Sequence, residues 1–267
     1  MAVSIGVPGD LLTSDRSRPN GIAWTMELKG QEDDLADLAH WTTGNPVKVT
    51  GVNGHYELLM PFAVVGFDYK TVKVHAEQYV AALNGLGAVF ERAFRKVELI
   101  PGMYSVDEHG ARHDVVVSLV GVESARVRVG RINALVDGKT GPDPTLGMAE
   151  PYLKVAVASS DIDAALRLLG RGDPTWSELY VVFELAKAAS GDELVAKGWA
   201  SENELTRFGH TANNYTALGL QARHGPSRHL PPRNPMTYDE ALELMRATVA
   251  AWLRDEVNKP LRAGIST

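Results

Sequence analysis

The sequence predicts an α+β protein, with an antiparallel strand-rich N-terminal part followed by an all-helical, bundle-like C-terminal domain. Two observations carry this reading. As far as about Leu135, apolar residues alternate with polar ones in short runs, the period of half-buried strands; after about Val157 they recur every three or four residues, the period of a helix face. Between the two regimes, Asp137–Pro151 concentrates Gly, Pro and Asp, the composition of a linker or long ordered loop. The expected division is a loose arm over 1–20, a strand-rich domain over 21–136, a linker over 137–158 and a helical domain over 159–267.

In chain order, Ile22–Leu28, Val47–Gly51 and His55–Pro61 alternate as strands, and the Asn53-Gly54 pair between the last two favours a tight hairpin, since both residues tolerate positive φ. Asp33–Trp41 reads as a short helix or an acidic loop. Val74–Phe94 has helical spacing, with Gly85 and Gly87 placed to kink or split it. Strand texture returns in Lys96–Val106, Asp114–Val122 and Ala125–Ile132. Beyond the linker, Ser160 is placed to cap a helix that stops at Gly170. Asp173 and Pro174 open the next, whose apolar face is Trp176, Leu179, Tyr180 and Phe183 and whose end is Ser190-Gly191. Ser201 with Glu204 and Thr237 with Glu240 have the spacing of capping boxes. The last helix carries Tyr238, Leu242, Met245, Val249, Trp252 and Leu253 on one side. Trp176, Phe183, Phe208, Tyr215, Met245 and Trp252 are expected to share one core.

Bulk properties narrow the function classes. The 267 residues are 45% hydrophobic and 22% charged, enough for a real core. No cysteine is present, which excludes disulfides, thiolate metal sites and cysteine nucleophiles and fits a reducing, cytoplasmic setting. No signal peptide is expected from the first twenty residues, and no apolar run approaches the roughly 20 residues of a membrane span. A net charge of -6 argues against broad, non-specific nucleic-acid binding but not against a local site.

The local candidate is Ser201–His229. Between Glu204 and Asp239 no acidic residue occurs, while Arg207, Arg223, Arg228 and Arg233 do. On a helix starting at Ser201, Leu205, Phe208, Ala212, Tyr215, Gly219 and Ala222 share one face. Arg207, His210, Asn214 and Gln221 form a narrow stripe roughly opposite. Gly225, Pro226 and the Pro231-Pro232 pair then forbid a continuous helix. Imidazoles move protons near neutral pH, and guanidinium groups hold phosphate and stabilise developing negative charge. Arg207, His210, Asn214 and Arg228 are therefore candidate ligand-binding residues for an anion. A solvated helix face would show the same stripe. His210, His224 and His229 lack the spacing of a helical metal pair and have no acidic neighbour, so neither metal nor cofactor is expected. No phosphate-cradling glycine motif or nucleophile elbow occurs. His40, His55, His75, His109 and His113 read as structural or surface residues.

The run Arg223-His224-Gly225-Pro226-Ser227-Arg228-His229 resembles the R-x(4–6)-H motif of the HEPN superfamily, and it stands before a closing helix as that motif does. The resemblance implies a small helical domain, often homodimeric, that cleaves RNA without metal in toxin or phage-defence systems, fused to an unrelated N-terminal sensing domain. It implies that Arg223 binds or polarises phosphate and that His229, or His224 in its place, serves as acid or base. RNA or another phosphate-bearing ligand and a second copy of the chain would be the partners. The alternatives are a non-catalytic binding or sensor module that takes an anionic ligand or a protein through the Arg/His strip, and a structural or assembly protein.

Overall fold

The computed structural model describes residues 21–52, 54–116, 145–225 and 232–259. It is α+β, as the change of period indicates. The N-terminal part forms a sheet from β1 (Ala23–Lys29), β2 (Lys48–Val52), β3 (His55–Pro61), β4 (Glu98–Leu99), β5 (Met103–Val106) and β6 (Arg112–Val116), in the order β2-β3-β1-β5-β6 with β4 also on β1. All pairings are antiparallel. The alternation in sequence becomes register: Trp24 lies opposite Met60 and Met26 opposite Leu58, and all four are buried on the same face. The β2–β3 hairpin closes Val52 on His55, with Gly54 at φ 80°. The single strand expected over Lys96–Val106 is divided. Pro101 has no N–H to donate and Gly102 takes φ 144°, so β4 and β5 follow the same edge of β1 on either side of this break. The expected strand at Ala125–Ile132 lies outside the described residues.

Helix α1 (Glu32–Trp41), the helical option for that stretch, follows β1, and the short α2 (Phe62–Val65) follows β3. Helix α3 (Tyr69–Phe90) then runs unbroken for 22 residues. It starts earlier than its apolar spacing indicates because the Asp68 side chain caps it, accepting from Thr71 N–H at 3.0 Å. Val74, expected on its apolar face, is exposed instead. Gly85 and Gly87 do not kink this helix. They admit neighbours: a Cβ at Gly85 would lie 2.5 Å from the Leu166 carbonyl oxygen, and one at Gly87 would lie 2.5 Å from the Phe94 ring.

The C-terminal part comprises α4 (Ala149–Ala158), α5 (Ser160–Leu169), α6 (Trp176–Ser190), α7 (Glu202–Ala212), α8 (Tyr215–Leu218), a single 3₁₀ turn and α9 (Tyr238–Asn258). The capping boxes at Ser201 and Thr237 both form, and Gly191 ends α6 in the left-handed conformation at φ 69°. Two caps sit one or two residues from where the sequence places them. Ser159, not Ser160, caps α5, and Thr175, not Asp173, caps α6 through a box with Glu178. Part of the stretch expected as a linker is α4, which packs on α3, α5 and α9. Buried residues of the sheet, α3 and the C-terminal helices form one continuous cluster. Of the six aromatic and methionine residues expected to share a core, Trp176, Phe208, Met245 and Trp252 are buried in it and Phe183 packs against it, whereas Tyr215 is half-exposed. Among the described residues, no helix is long and apolar enough to cross a membrane.

Candidate functional site

The Arg/His strip is not one helix face. Helix α7 stops at Asn213, and Asn214 becomes the N-cap of α8, its buried side chain accepting from Ala217 N–H at 3.0 Å. An asparagine that caps a new helix cannot continue the stripe of the old one, so Arg207, His210, Asn214 and Gln221 do not line up. Arg207 reaches the start of α9. It donates to the carbonyls of Asn234 at 3.0 Å and Pro235 at 3.1 Å, and grips both oxygens of Glu240 at 3.0 and 2.7 Å. Arg223 goes elsewhere. Its guanidinium stacks 4.2 Å from the centre of the Tyr180 ring and pairs with Glu184 at 3.2 Å, both on α6. Its backbone N–H returns to the Ala212 carbonyl at 2.9 Å.

Two arginines from the stretch that holds no acidic residue between Glu204 and Asp239 are thus matched in space, and each fastens one element to another. His210 and His224 are exposed. Arg228 and His229 lie outside the described residues. Among the described residues, no group of three His, Asp or Glu side chains is placed to hold a metal ion.

A concave site exists elsewhere, where the sheet meets the helices. A cavity of about 810 Å³ lies between the β2–β3 edge, α2, α3, α4 and α5. That volume falls within the roughly 300–1,000 Å³ typical of small-molecule sites. Its buried lining is aliphatic, from Val47, Met60, Ala82, Leu153 and Ala156. Val64 and Val157 add exposed apolar surface to the rim. The rim cations are matched along their own helices: Lys154 with Glu150 at 2.8 Å on α4, and Arg167 with Asp163 at 2.8 Å on α5.

Two polar side chains interrupt the apolar lining. Tyr79, on α3, donates its hydroxyl to the Val47 carbonyl at 2.5 Å. Burial pushes its pKa up to about 12, against a smaller opposing effect of a hydrogen bond with Asn45, so it stays a neutral phenol at physiological pH. Its one hydrogen is committed to the Val47 carbonyl. Asn45 is only 6% exposed, and its Oδ1 is buried without a hydrogen-bond partner. Such an acceptor costs on the order of 1–3 kcal/mol until something donates to it.

Sequence reasoning passed over both residues. Asn45 precedes the strand expected from Val47, and Tyr79 reads as one more apolar position on a helix. The segments that meet here are also more than a hundred residues apart at their extremes. Comparison with family models, with curated proteins and with solved structures gives no match to this chain.

Proposed function

We propose that the chain is a non-catalytic ligand-binding module, a sensor whose site is the cavity between α3, α4, α5 and the β2–β3 edge. One observation carries this reading: a cavity of ligand size with aliphatic buried walls lies where the sheet meets the helices. The neutral Tyr79 and the internally paired rim charges suit binding better than acid–base chemistry. In this reading the protein works in the cytoplasm, which its lack of cysteine fits.

The test fills the cavity from its own wall. Ala156→Phe is expected to leave the protein folded and to abolish the rise in thermal midpoint that 1-decanol gives the unchanged chain. A rise that persists in the variant would place the binding elsewhere.

The metal-independent, HEPN-like ribonuclease reading, with RNA as substrate and Arg223, His224 and His229 as its machinery, requires Arg223 to leave both Glu184 and Tyr180. Incubation of the protein with RNA and no metal tests it directly. Cleavage that disappears in both Arg223→Ala and His224→Ala would establish that reading in place of ours.

A further inference from the structure

Resting on the cavity being the ligand site, we infer that residues 1–20 of the same chain cover its mouth, with Leu11 and Leu12 seated against Val64 and Val157 in competition with the ligand.

The first ground is the mouth itself. Val157 on α4 is 91% exposed, Val64 on α2 is 54% exposed, and both line the cavity. A single exposed aliphatic side chain is ordinary, but two at the opening of an aliphatic cavity mark a place where apolar surface awaits a cover.

The second ground is where the chain enters. Ile22 is held on both sides by its backbone. Its N–H donates to the Val106 carbonyl at 2.7 Å, and its carbonyl accepts at 3.0 Å from the N–H of Phe62, the first residue of α2. Trp24 packs on Phe62 at 5.4 Å and donates its indole N–H to the Gly66 carbonyl, just past α2, at 3.2 Å. The preceding residues therefore leave the body of the protein beside α2, whose third and fourth residues, Val64 and Val65, line the cavity.

The third ground is the sequence upstream of that point. Leu11 and Leu12 are adjacent, and Thr13–Gly21, which joins them to Ile22, holds no apolar side chain except Pro19. Ten residues reach up to about 33–36 Å when extended, whereas the step from Phe62 to Val65 advances only about 4.5 Å along α2. A tether of that length holds the leucine pair near the mouth at an effective concentration in about the millimolar range, so a weak apolar contact suffices to compete with a ligand.

The experiment exploits the lack of cysteine, which makes any disulfide in a double variant unambiguous. In the full chain, Leu12→Cys/Val157→Cys should close an intramolecular disulfide on mild oxidation, and Leu12→Cys/Leu220→Cys should not. Leu220 is as exposed as Val157, at 94%, but belongs to the 3₁₀ turn, whose residues do not line the cavity. By calorimetry, Leu11→Ser/Leu12→Ser, which removes the apolar groups without adding charge, should bind 1-decanol about tenfold more tightly than the unchanged chain, the change expected if the cover is in place in about nine molecules of ten.

Equal disulfide yields at Val157 and Leu220, or none at Val157, would overturn the docking. A Val157 disulfide that joins two chains would assign the cover to a second copy and overturn it as an intramolecular contact. Unchanged 1-decanol affinity in the double serine variant would overturn the competition while leaving the cavity as the site. Binding by neither protein would remove the cavity reading itself, and this inference with it.

Discussion

Arg207 shows how a side chain that looks like ligand-binding chemistry becomes an architectural contact. Its guanidinium closes on Glu240, which also caps α9 through Thr237, so a single carboxylate serves the helix end and the arginine together. The Arg207 hydrogen bonds come first, then the Thr237 backbone, in holding the Glu240 carboxyl down to about 2 from its ordinary 4.5. A carboxylate with a folded pKa below its unfolded value contributes stability that is present above the ordinary range and lost as pH falls toward the folded value. Arg207→Met should therefore lower the thermal midpoint at pH 6, and the gap from the unchanged protein should narrow between about pH 4.5 and 2. A gap constant across that range would mean that Arg207 acts through its two carbonyl contacts alone. The sequence shows the arginine and both ends of the capping box. It does not show that they meet, because Arg207 and Glu240 are 33 residues apart and pairing at that distance is a property of the fold. Arg223 repeats the lesson. Its partners, Tyr180 and Glu184, occupy one turn of α6 and precede it by some forty residues, so a strip that is basic in sequence is partly neutralised in space.

Helix crossings explain what local pattern could and could not supply. The strands, both long capping boxes and the apolar faces of α6 and α9 were legible because each depends on residues within a few positions of one another. The role of Gly85 was not. A glycine inside a helix reads as a weak point, and only the arrival of α5 shows that it is a contact. The approach is mutual: a Cβ at Gly170 would lie 2.6 Å from the Gly85 nitrogen. Beside it, Asn84 exchanges two hydrogen bonds with the Val97 backbone at 2.7 and 2.8 Å, tying α3 to the segment that leads into β4. Gly85→Ala should destabilise the protein by about 1–3 kcal/mol, the range for overpacking against an unyielding neighbour, although alanine favours helix. Urea unfolding measures this, and an unchanged or raised midpoint would show that α5 can retreat. In α9, Trp252 is 1% exposed and stacks on Trp199 at 6.0 Å, while the Trp199 indole N–H donates to Asp255 at 2.8 Å. Trp252→Ala should cost about 3–5 kcal/mol, as large aromatic truncations in a core do, and the same unfolding experiment checks it.

The whole chain joins its two parts through α3, which meets α1, α2 and β4 of the N-terminal part and α4, α5 and α9 of the C-terminal part. The cavity belongs to that junction and to neither part. Its lining comes from residues 45–47, 60–82 and 150–167, three stretches read in sequence as the approach to a strand, the end of a strand with the helix after it, and a linker running into a helix. No spacing rule links them, which is why the fold class was readable from the change of period and the site was not. Because the walls come from both parts, an occupant should raise the unfolding midpoint of sheet and helices together.

The most direct measurement uses the methionine methyl groups as reporters. Met60 lines the cavity and is fully buried, whereas Met103 on β5 and Met236 before α9 are not part of its lining. In a protein labelled at the methionine methyls, titration with 1-decanol should shift the Met60 resonance along a saturable curve while those of Met103 and Met236 stay in place. A Met60 resonance that does not move at concentrations where calorimetry records binding would contradict the assignment of this cavity as the ligand site.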